Sequence, residues 1–133
     1  MNGSQALVRQ LTSPISSELA SLESGVSVVI IPPTLYVSRV LESAGPGVDV
    51  GVQNIACWHS GAYTGEISAA MARDSGCDYA LVGHSERRQL FGETYEQIAV
   101  KVDQALRSEL TAILCVGETL EQRNAGTAEH VVA

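Results

Sequence analysis

The sequence predicts an α/β protein in which about four parallel strands alternate with helices. Four short apolar runs rich in β-branched residues indicate the strands, and helical patterns separate them. Strand–helix–strand crossovers of this length imply parallel pairing, which brings the carboxyl ends of the strands to one edge of the sheet. The predicted strands are Val26–Ile31, Val48–Gln53, Tyr79–Gly83 and Thr111–Val116.

Helices are predicted before the first strand and between the strands. The first is expected from about Gln5 to Glu18, where Pro14 would kink it or split it into two shorter pieces. Two more are expected before the second and third strands, and each is followed by a glycine that is expected to end it. They cover Thr34–Ser43, which precedes Gly45, and Ile67–Asp74, which precedes Gly76.

The clearest helical pattern follows Thr94. Thr94 and Gln97 have the spacing of a capping box, in which each side chain accepts a hydrogen bond from the other residue's backbone amide. Apolar residues then recur at helical spacing, so this stripe is expected to pack on the sheet. The stripe consists of Tyr95, Ile98, Ala99, Val102 and Leu106.

The composition is that of a soluble globular chain, since 45% of its 133 residues are hydrophobic and 17% are charged. A formal net charge of -7 argues against nonspecific nucleic-acid binding, which requires a basic face. The longest apolar stretch, Val26 to Pro33, is far shorter than the ~20 residues of a membrane span. The first residues also lack the pattern of a secretory signal. We therefore expect a cytoplasmic protein with no nucleic-acid or membrane partner.

The cysteines Cys57, Cys77 and Cys115 are widely spaced and never form a C-x-x-C pair. Neither a disulfide framework nor a zinc site is suggested, so reduced thiols are expected. Cys115 ends the fourth predicted strand and is expected to serve packing. A nucleophilic role would require a paired base, and nothing adjacent in sequence suggests one.

His84 directly follows the third predicted strand, at the edge where parallel α/β proteins keep their catalytic groups. A loop with a dense charged turn is predicted from Ser85. Backbone amides of Ser85, Glu86 and Arg87 can point toward the imidazole ring, which favours its neutral form. The alternative is a strand-end histidine that is merely hydrogen-bonded within the fold.

Residues 82–93, which read VGHSERRQLFGE, closely resemble the active-site histidine segment of the triosephosphate isomerase family. Other segments resemble that family in the same order and spacing, so the resemblance covers essentially the whole chain. These segments are Gln53–Asn54, Gly61–Glu66, Ser68–Met71 and Cys115–Thr119.

The resemblance implies a partial TIM (β/α)8 barrel, with residues 1–133 as one domain truncated at both ends and covering roughly strands 2 to 5. A complete barrel needs ~250 residues. Periodicity alone does not choose between a barrel and a Rossmann sheet, although no G-x-G-x-x-G motif supports the latter. By the same comparison, the family's substrate-holding lysine, catalytic glutamate, lid loop and last two phosphate-binding turns are expected to lie outside this chain.

The implied activity is the interconversion of dihydroxyacetone phosphate and glyceraldehyde 3-phosphate through an enediolate, in glycolysis and gluconeogenesis. The resemblance makes His84 the electrophile at the carbonyl oxygen, and no other substrate-binding residue is expected on the chain. Glu86 resembles the family's acid beside the histidine, although it could instead be a first-turn glutamate stabilised by a helix dipole. No metal or organic cofactor is implied. The chain alone is expected to have little or no activity.

The resemblance also implies a homodimer. Arg87 matches an arginine that bridges to Glu93 and, across the interface, to the partner's Glu66. Asn54 to Glu66 resembles the family's dimerisation loop, in which Gly61 and Gly65 are expected turn points. Gln53, Tyr63 and Thr64 are expected in the same isologous interface. From the sequence alone, this loop could equally be a mobile surface loop, and the residues Arg87, Arg88 and Glu93 could be a solvated charge cluster.

Two rival hypotheses remain open at this point. The chain could be a noncatalytic half-barrel that self-associates or complements another half, because a four-stranded piece leaves two strand edges unpaired. It could also be a different phosphate-binding barrel enzyme that kept this segment.

Overall fold

A computed structural model describes residues 2–21 and 25–132 of the chain. Its centre is a four-stranded sheet in which the strands pair in chain order, and all three pairs are parallel. The sheet does not close on itself, so the first and last strands are its edges. The strands are β1 (Val28–Ile30), β2 (Val48–Val52), β3 (Tyr79–Val82) and β4 (Thr111–Leu114).

Helices precede, separate and follow the strands, which gives the predicted alternation. Two helices rather than one connect β3 to β4, and a single 3-10 turn at Thr34–Tyr36 leads into the helix before β2. The helices are α1 (Gln5–Leu19), α2 (Val37–Ser43), α3 (Ala69–Asp74), α4 (Ser85–Phe91), α5 (Tyr95–Arg107), α6 (Leu120–Asn124) and α7 (Ala128–Val132).

The core lies between the two central strands and the helices that cover them. Val50 and Val52 of β2 and Ala80 of β3 are almost fully buried and belong to one apolar cluster. Side chains of α1, α2, α3 and α5 and of the connecting segments belong to the same cluster, and Val40 of α2 and Ala105 of α5 are among its buried members. Burial of this apolar surface is the main stabilising contribution and fixes the strand ends against the helices.

All four predicted strands are present, and each ends one or two residues earlier than predicted. The third strand stops at Val82 because Gly83 takes φ +71, a left-handed conformation that turns the chain away from the sheet. The capping box is also confirmed. Thr94 accepts from the Gln97 amide, and Gln97 accepts from the Thr94 amide.

Three expectations about helices are wrong, namely the split at Pro14, the charged turn from Ser85 and the glycine stop at Gly45. Pro14 does not split the first helix, because it removes a single hydrogen bond at an exposed position where water can satisfy the carbonyl. The segment from Ser85 is not a charged turn but the helix α4, whose N-cap is His84. Of the two expected stops, Gly76 follows α3 with φ +98, whereas α2 ends at the extended Ala44, before Gly45 is reached.

No helix within residues 2–21 and 25–132 is long and apolar enough to cross a membrane.

Candidate active site

His84 stands at the carboxyl end of β3 and begins α4. Its Nδ1 accepts a hydrogen bond from the backbone amide of Glu86 at 3.2 Å, the geometry expected from the sequence. A nitrogen that accepts a hydrogen bond carries no proton, so in the neutral ring the proton is on Nε2. The imidazole is 41% exposed. His84 therefore presents an N–H donor at the edge of the sheet where a ligand can reach it.

Glu86 lies beside this histidine. Its carboxylate Oε2 is 3.8 Å from His84 Nδ1, and the side chain is 73% exposed. The residue also occupies the first turn of α4, where the helix dipole favours a negative charge. The structure thus brings His84 and Glu86 together, and both interpretations of Glu86 fit its position.

Arg88 is not a solvated charge, although the sequence alone allowed Arg87, Arg88 and Glu93 to form a solvated charge cluster. The side chain is half-buried and its guanidinium contacts two strand ends. Nε donates to the Gly83 carbonyl at 2.7 Å, and Nη2 donates to the Cys115 carbonyl at 2.8 Å. No sequence pattern indicates the contact with Cys115, which joins residues 27 positions apart, whereas the contact with Gly83 spans five positions.

Glu93 is buried, so the interpretation that it belongs to a solvated charge cluster is also wrong. Arg87 Nε lies 3.5 Å from Glu93 Oε2, which agrees with the pair that the resemblance implied. Neither of these two atoms has a hydrogen-bond partner among the described residues. The other carboxylate oxygen of Glu93 pairs with Lys101, a residue that the sequence analysis missed. Lys101 also donates to Asn54 Oδ1 at 2.7 Å.

The predicted loop from Asn54 to Glu66 has neither helix nor strand, and it runs on to Ser68 because α3 begins two residues later than the predicted Ile67. Gln53 donates from its side chain to the Ile31 carbonyl at 3.0 Å, which joins the start of the loop to the end of β1. Tyr63 stacks on Trp58 with ring centroids 4.0 Å apart and an interplanar angle of 9°. Thr64 and Glu66 are exposed. The predicted interface residues thus divide into this exposed loop and the pair of Arg87 with Glu93.

The thiols have environments that suppress nucleophilic chemistry. Burial raises the pKa of the Cys115 thiol, and the nearby Arg88 only partly offsets this effect. Burial also raises the pKa values of the Cys57 and Cys77 thiols. All three are free cysteines, as expected. Because the thiolate is the nucleophile, these shifts favour packing roles.

Within the part of the chain that the structure describes, no three His, Cys, Asp or Glu side chains form a group that could hold a metal ion.

Parallel strands that pair in chain order with helices between them are the arrangement of a partial α/β barrel, and His84 lies at its carboxyl edge, where such proteins keep their catalytic groups. Comparison with known proteins is more specific, because the family model for triosephosphate isomerase matches residues 1–133. The chain belongs to the triosephosphate isomerase family.

Curated relatives agree with this assignment. Triosephosphate isomerase of Marinobacter nauticus is 58% identical over 133 residues, which are 100% of this chain and 53% of that protein. The enzyme of Magnetococcus marinus is 49% identical over 133 residues, which are 99% of this chain and 52% of that protein. The triosephosphate isomerase of Francisella philomiragia is 42% identical over 132 residues, which are 99% of this chain and 52% of that protein. The chain therefore spans about half the length of the curated relatives it matches.

Proposed function

We propose that this chain supplies the carbonyl-polarising part of an isomerase that interconverts dihydroxyacetone phosphate and glyceraldehyde 3-phosphate. The supporting observation is the hydrogen bond from the Glu86 amide to His84 Nδ1, at 3.2 Å. It leaves Nε2–H as the donor to the substrate carbonyl. When a base removes the neighbouring carbon-bound proton, negative charge develops on that oxygen, and a donor already in place stabilises it.

The reaction also needs a base and a phosphate site. We propose that residues of the other half of the barrel supply both, because the chain spans about half the length of its relatives. Glu86 assists as an acidic neighbour of His84, where it can orient a cationic group of that other half. The proposed enzyme acts in the cytoplasm without metal or organic cofactor, and the free cysteines are compatible with that compartment.

The proposed assembly is a homodimer. Arg87 Nε faces Glu93 Oε2 at 3.5 Å, so the buried carboxylate holds one side of the guanidinium, while 30% of the Arg87 side chain stays exposed. A carboxylate from a second subunit would pair with that exposed part, and the partner's Glu66 is the group that the family resemblance implies. The exposed residues Tyr63 and Thr64 would lie in the same isologous contact.

The test is a hybrid protein in which residues 1–133 replace the matching segment of the Marinobacter nauticus relative. We expect the hybrid to isomerise triose phosphates. His84→Gln should lower kcat ~100-fold or more, as loss of a transition-state donor does. The matched control is His130→Gln, which changes an exposed histidine of α7 and should keep kcat within about twofold. Unchanged turnover in His84→Gln would refute the proposed role of the histidine.

A second candidate is a noncatalytic half-barrel, which the open sheet supports. Leu114 at the end of the edge strand β4 is 48% exposed, and Val116 just beyond it is 64% exposed. Apolar side chains beside an unpaired strand favour association with another chain. Sedimentation of the 133-residue chain together with the isomerase activity of the hybrid protein separates the candidates. If the hybrid is inactive and the 133-residue chain self-associates, the noncatalytic half-barrel is favoured.

A further inference from the structure

The hydrogen-bond ladder between β3 and β4 ends in an unusual way. The Cys115 amide donates to the Val82 carbonyl at 2.9 Å, which is the last rung between the two strands. In a regular parallel ladder the Cys115 carbonyl would next accept from the His84 amide. At Gly83, however, φ +71 turns the chain out of the sheet. The carbonyls of Gly83 and Cys115 then need other donors.

The guanidinium of Arg88 provides both donors. Its Nε and Nη2 lie on one edge of a rigid planar fork, and they reach Gly83 at 2.7 Å and Cys115 at 2.8 Å. The fit is close, because a Cβ added at Gly83 would lie 2.9 Å from Nη2. The ring of Tyr95 packs over the same guanidinium, with its centroid 5.1 Å from the Arg88 Cζ. Arg88 thus joins the ends of two neighbouring strands.

This fork also constrains His84. The Gly83 carbonyl and the His84 backbone nitrogen belong to the same planar peptide group. The hydrogen bond from Arg88 to this carbonyl therefore fixes the orientation of the peptide group that precedes the His84 Cα. The Arg88 amide in turn donates to the His84 carbonyl at 3.2 Å. His84 is therefore held on both sides of its Cα, and its ring is directed to the Glu86 amide.

We infer that Arg88 is a positioning residue for His84: its two-pronged bond across the ends of β3 and β4 holds the imidazole in the Nε2–H orientation. The inference rests on the proposed function for its catalytic meaning, although the orientation itself can be measured without any activity. Arg88 does not touch the substrate in this scheme and acts only through His84.

The direct readout is the pair of imidazole ¹⁵N chemical shifts of His84, recorded at a pH where imidazole is neutral. Spectra are taken on the histidine-labelled 133-residue chain and on the hybrid protein, and His84→Gln assigns the resonances. In Arg88→Gln, we expect both shifts to move toward those of the exposed His130. Arg88→Lys keeps the charge but not the fork, so it should show most of the same change. Arg107→Gln, which breaks an exposed ion pair with Asp103, should leave His84 unchanged.

Kinetics of the hybrid give the second readout. We expect Arg88→Gln and Arg88→Lys to lower kcat ~10- to 100-fold, because a small misplacement of a catalytic group has that effect. KM should stay within about twofold of the unsubstituted hybrid. In Arg88→Gln, ~10 mM guanidinium should restore part of kcat, because it can make both hydrogen bonds at once, whereas methylammonium should not.

Several outcomes would overturn the inference. One is unchanged His84 shifts in a folded Arg88→Gln, and another is full recovery by Arg88→Lys, which would show that charge alone suffices. Loss of the dispersed amide spectrum in both Arg88 variants would assign the residue a purely structural role. An inactive unsubstituted hybrid would refute the proposed function instead, and the nitrogen shifts would still decide whether Arg88 positions the ring.

Discussion

Lys101 and Glu93 form an ion pair inside the protein, with 7% and 3% of their side chains exposed. They lie eight residues apart, with Glu93 just before the capping box and Lys101 on the buried face of α5. Lys101 also donates to Asn54, so it ties the helix to the beginning of the long loop. A charge this deep requires its partner, because burying an unpaired ion costs several kcal/mol.

Replacing Lys101 with Met should destabilise the protein strongly. The variant leaves the carboxylate of Glu93 buried without its cation, and removal of one member of such a pair costs ~3–5 kcal/mol. Urea unfolding of the hybrid at fixed protein concentration measures the loss. The double variant Lys101→Met with Glu93→Gln is the matched comparison and should recover part of it, because no charge is then left unpaired. A single variant as stable as the parent would contradict the buried pairing.

The cysteines should react slowly with iodoacetamide near neutral pH. Burial raises the pKa of each thiol, so the reactive thiolate is scarcer than in free cysteine. We expect half-buried Cys57 and Cys115 to be alkylated faster as pH rises through their raised values, and fully buried Cys77 only on unfolding. Peptide mass spectrometry of timed samples gives the three rates, and glutathione is the reference. Rapid labelling of Cys77 in the native protein would contradict its burial.

The same shifts determine the sign of a pH effect on stability. A thiol whose folded pKa is raised keeps its proton better in the folded state, so its contribution is fully present below the unfolded pKa. That contribution is lost as pH rises through the folded pKa. We expect the unfolding midpoint in urea to fall over this alkaline window, and Cys77→Ala should reduce the fall. An equal fall with and without Cys77 would assign the effect to other groups.

Glu118 should titrate below the usual range of a glutamate. A hydrogen bond from its own backbone amide lowers its pKa, and the side chain of Arg123 lowers it further. Arg123→Gln should therefore raise the Glu118 midpoint only part of the way, because the amide remains. A carboxylate ¹³C titration measures it. The stability linked to Glu118 is present above the unfolded pKa and is lost as pH falls through the lowered folded value. A full return to the usual range would show that the amide contributes nothing.

Trp58 should report on the long loop, because it is the only tryptophan of the chain and stacks on Tyr63. Tyr63→Ala removes the stacking partner, so we expect a change in Trp58 emission and easier acrylamide quenching. If the loop contributes to a dimer interface, the same variant should weaken dimerisation of the hybrid in sedimentation experiments. Tyr95→Ala, which removes an exposed tyrosine far along the chain, is the comparison. An unaltered Trp58 signal would mean that the stack does not order the loop.

Local signals in the sequence predicted much of the fold. The capping box at Thr94 and Gln97 was predictable because both partners lie within one helical turn. The four apolar strands were predictable from their composition, although Gly83 ended the third one early through its backbone conformation. The helix α4 was missed because its cap is His84, a residue type that is uncommon as an N-cap.

The long-range parts of the site could not be predicted in the same way. Lys101 looks like a solvated helix lysine, and its burial depends on Asn54, 47 residues earlier. Arg88 looks like one charge in a charged run, and its role depends on the carbonyl of Cys115. His84 and Glu86 were found because they are sequence neighbours that follow a strand. Their proposed roles came from the family resemblance rather than from periodicity.

The chain-order pairing of the four strands also bears on how the protein is made. Each strand pairs with the one synthesised just before it, so no strand has to wait for a distant segment to leave the ribosome. Partner residues such as Val28 with Val48 and Tyr79 with Thr111 are 20 and 32 positions apart, so each pairing closes a loop much shorter than the whole chain and costs less loop-closure entropy than a pairing of the chain's ends would. We therefore expect the sheet to assemble during translation, one helix and strand at a time, with each newly exposed edge serving as the template for the next strand.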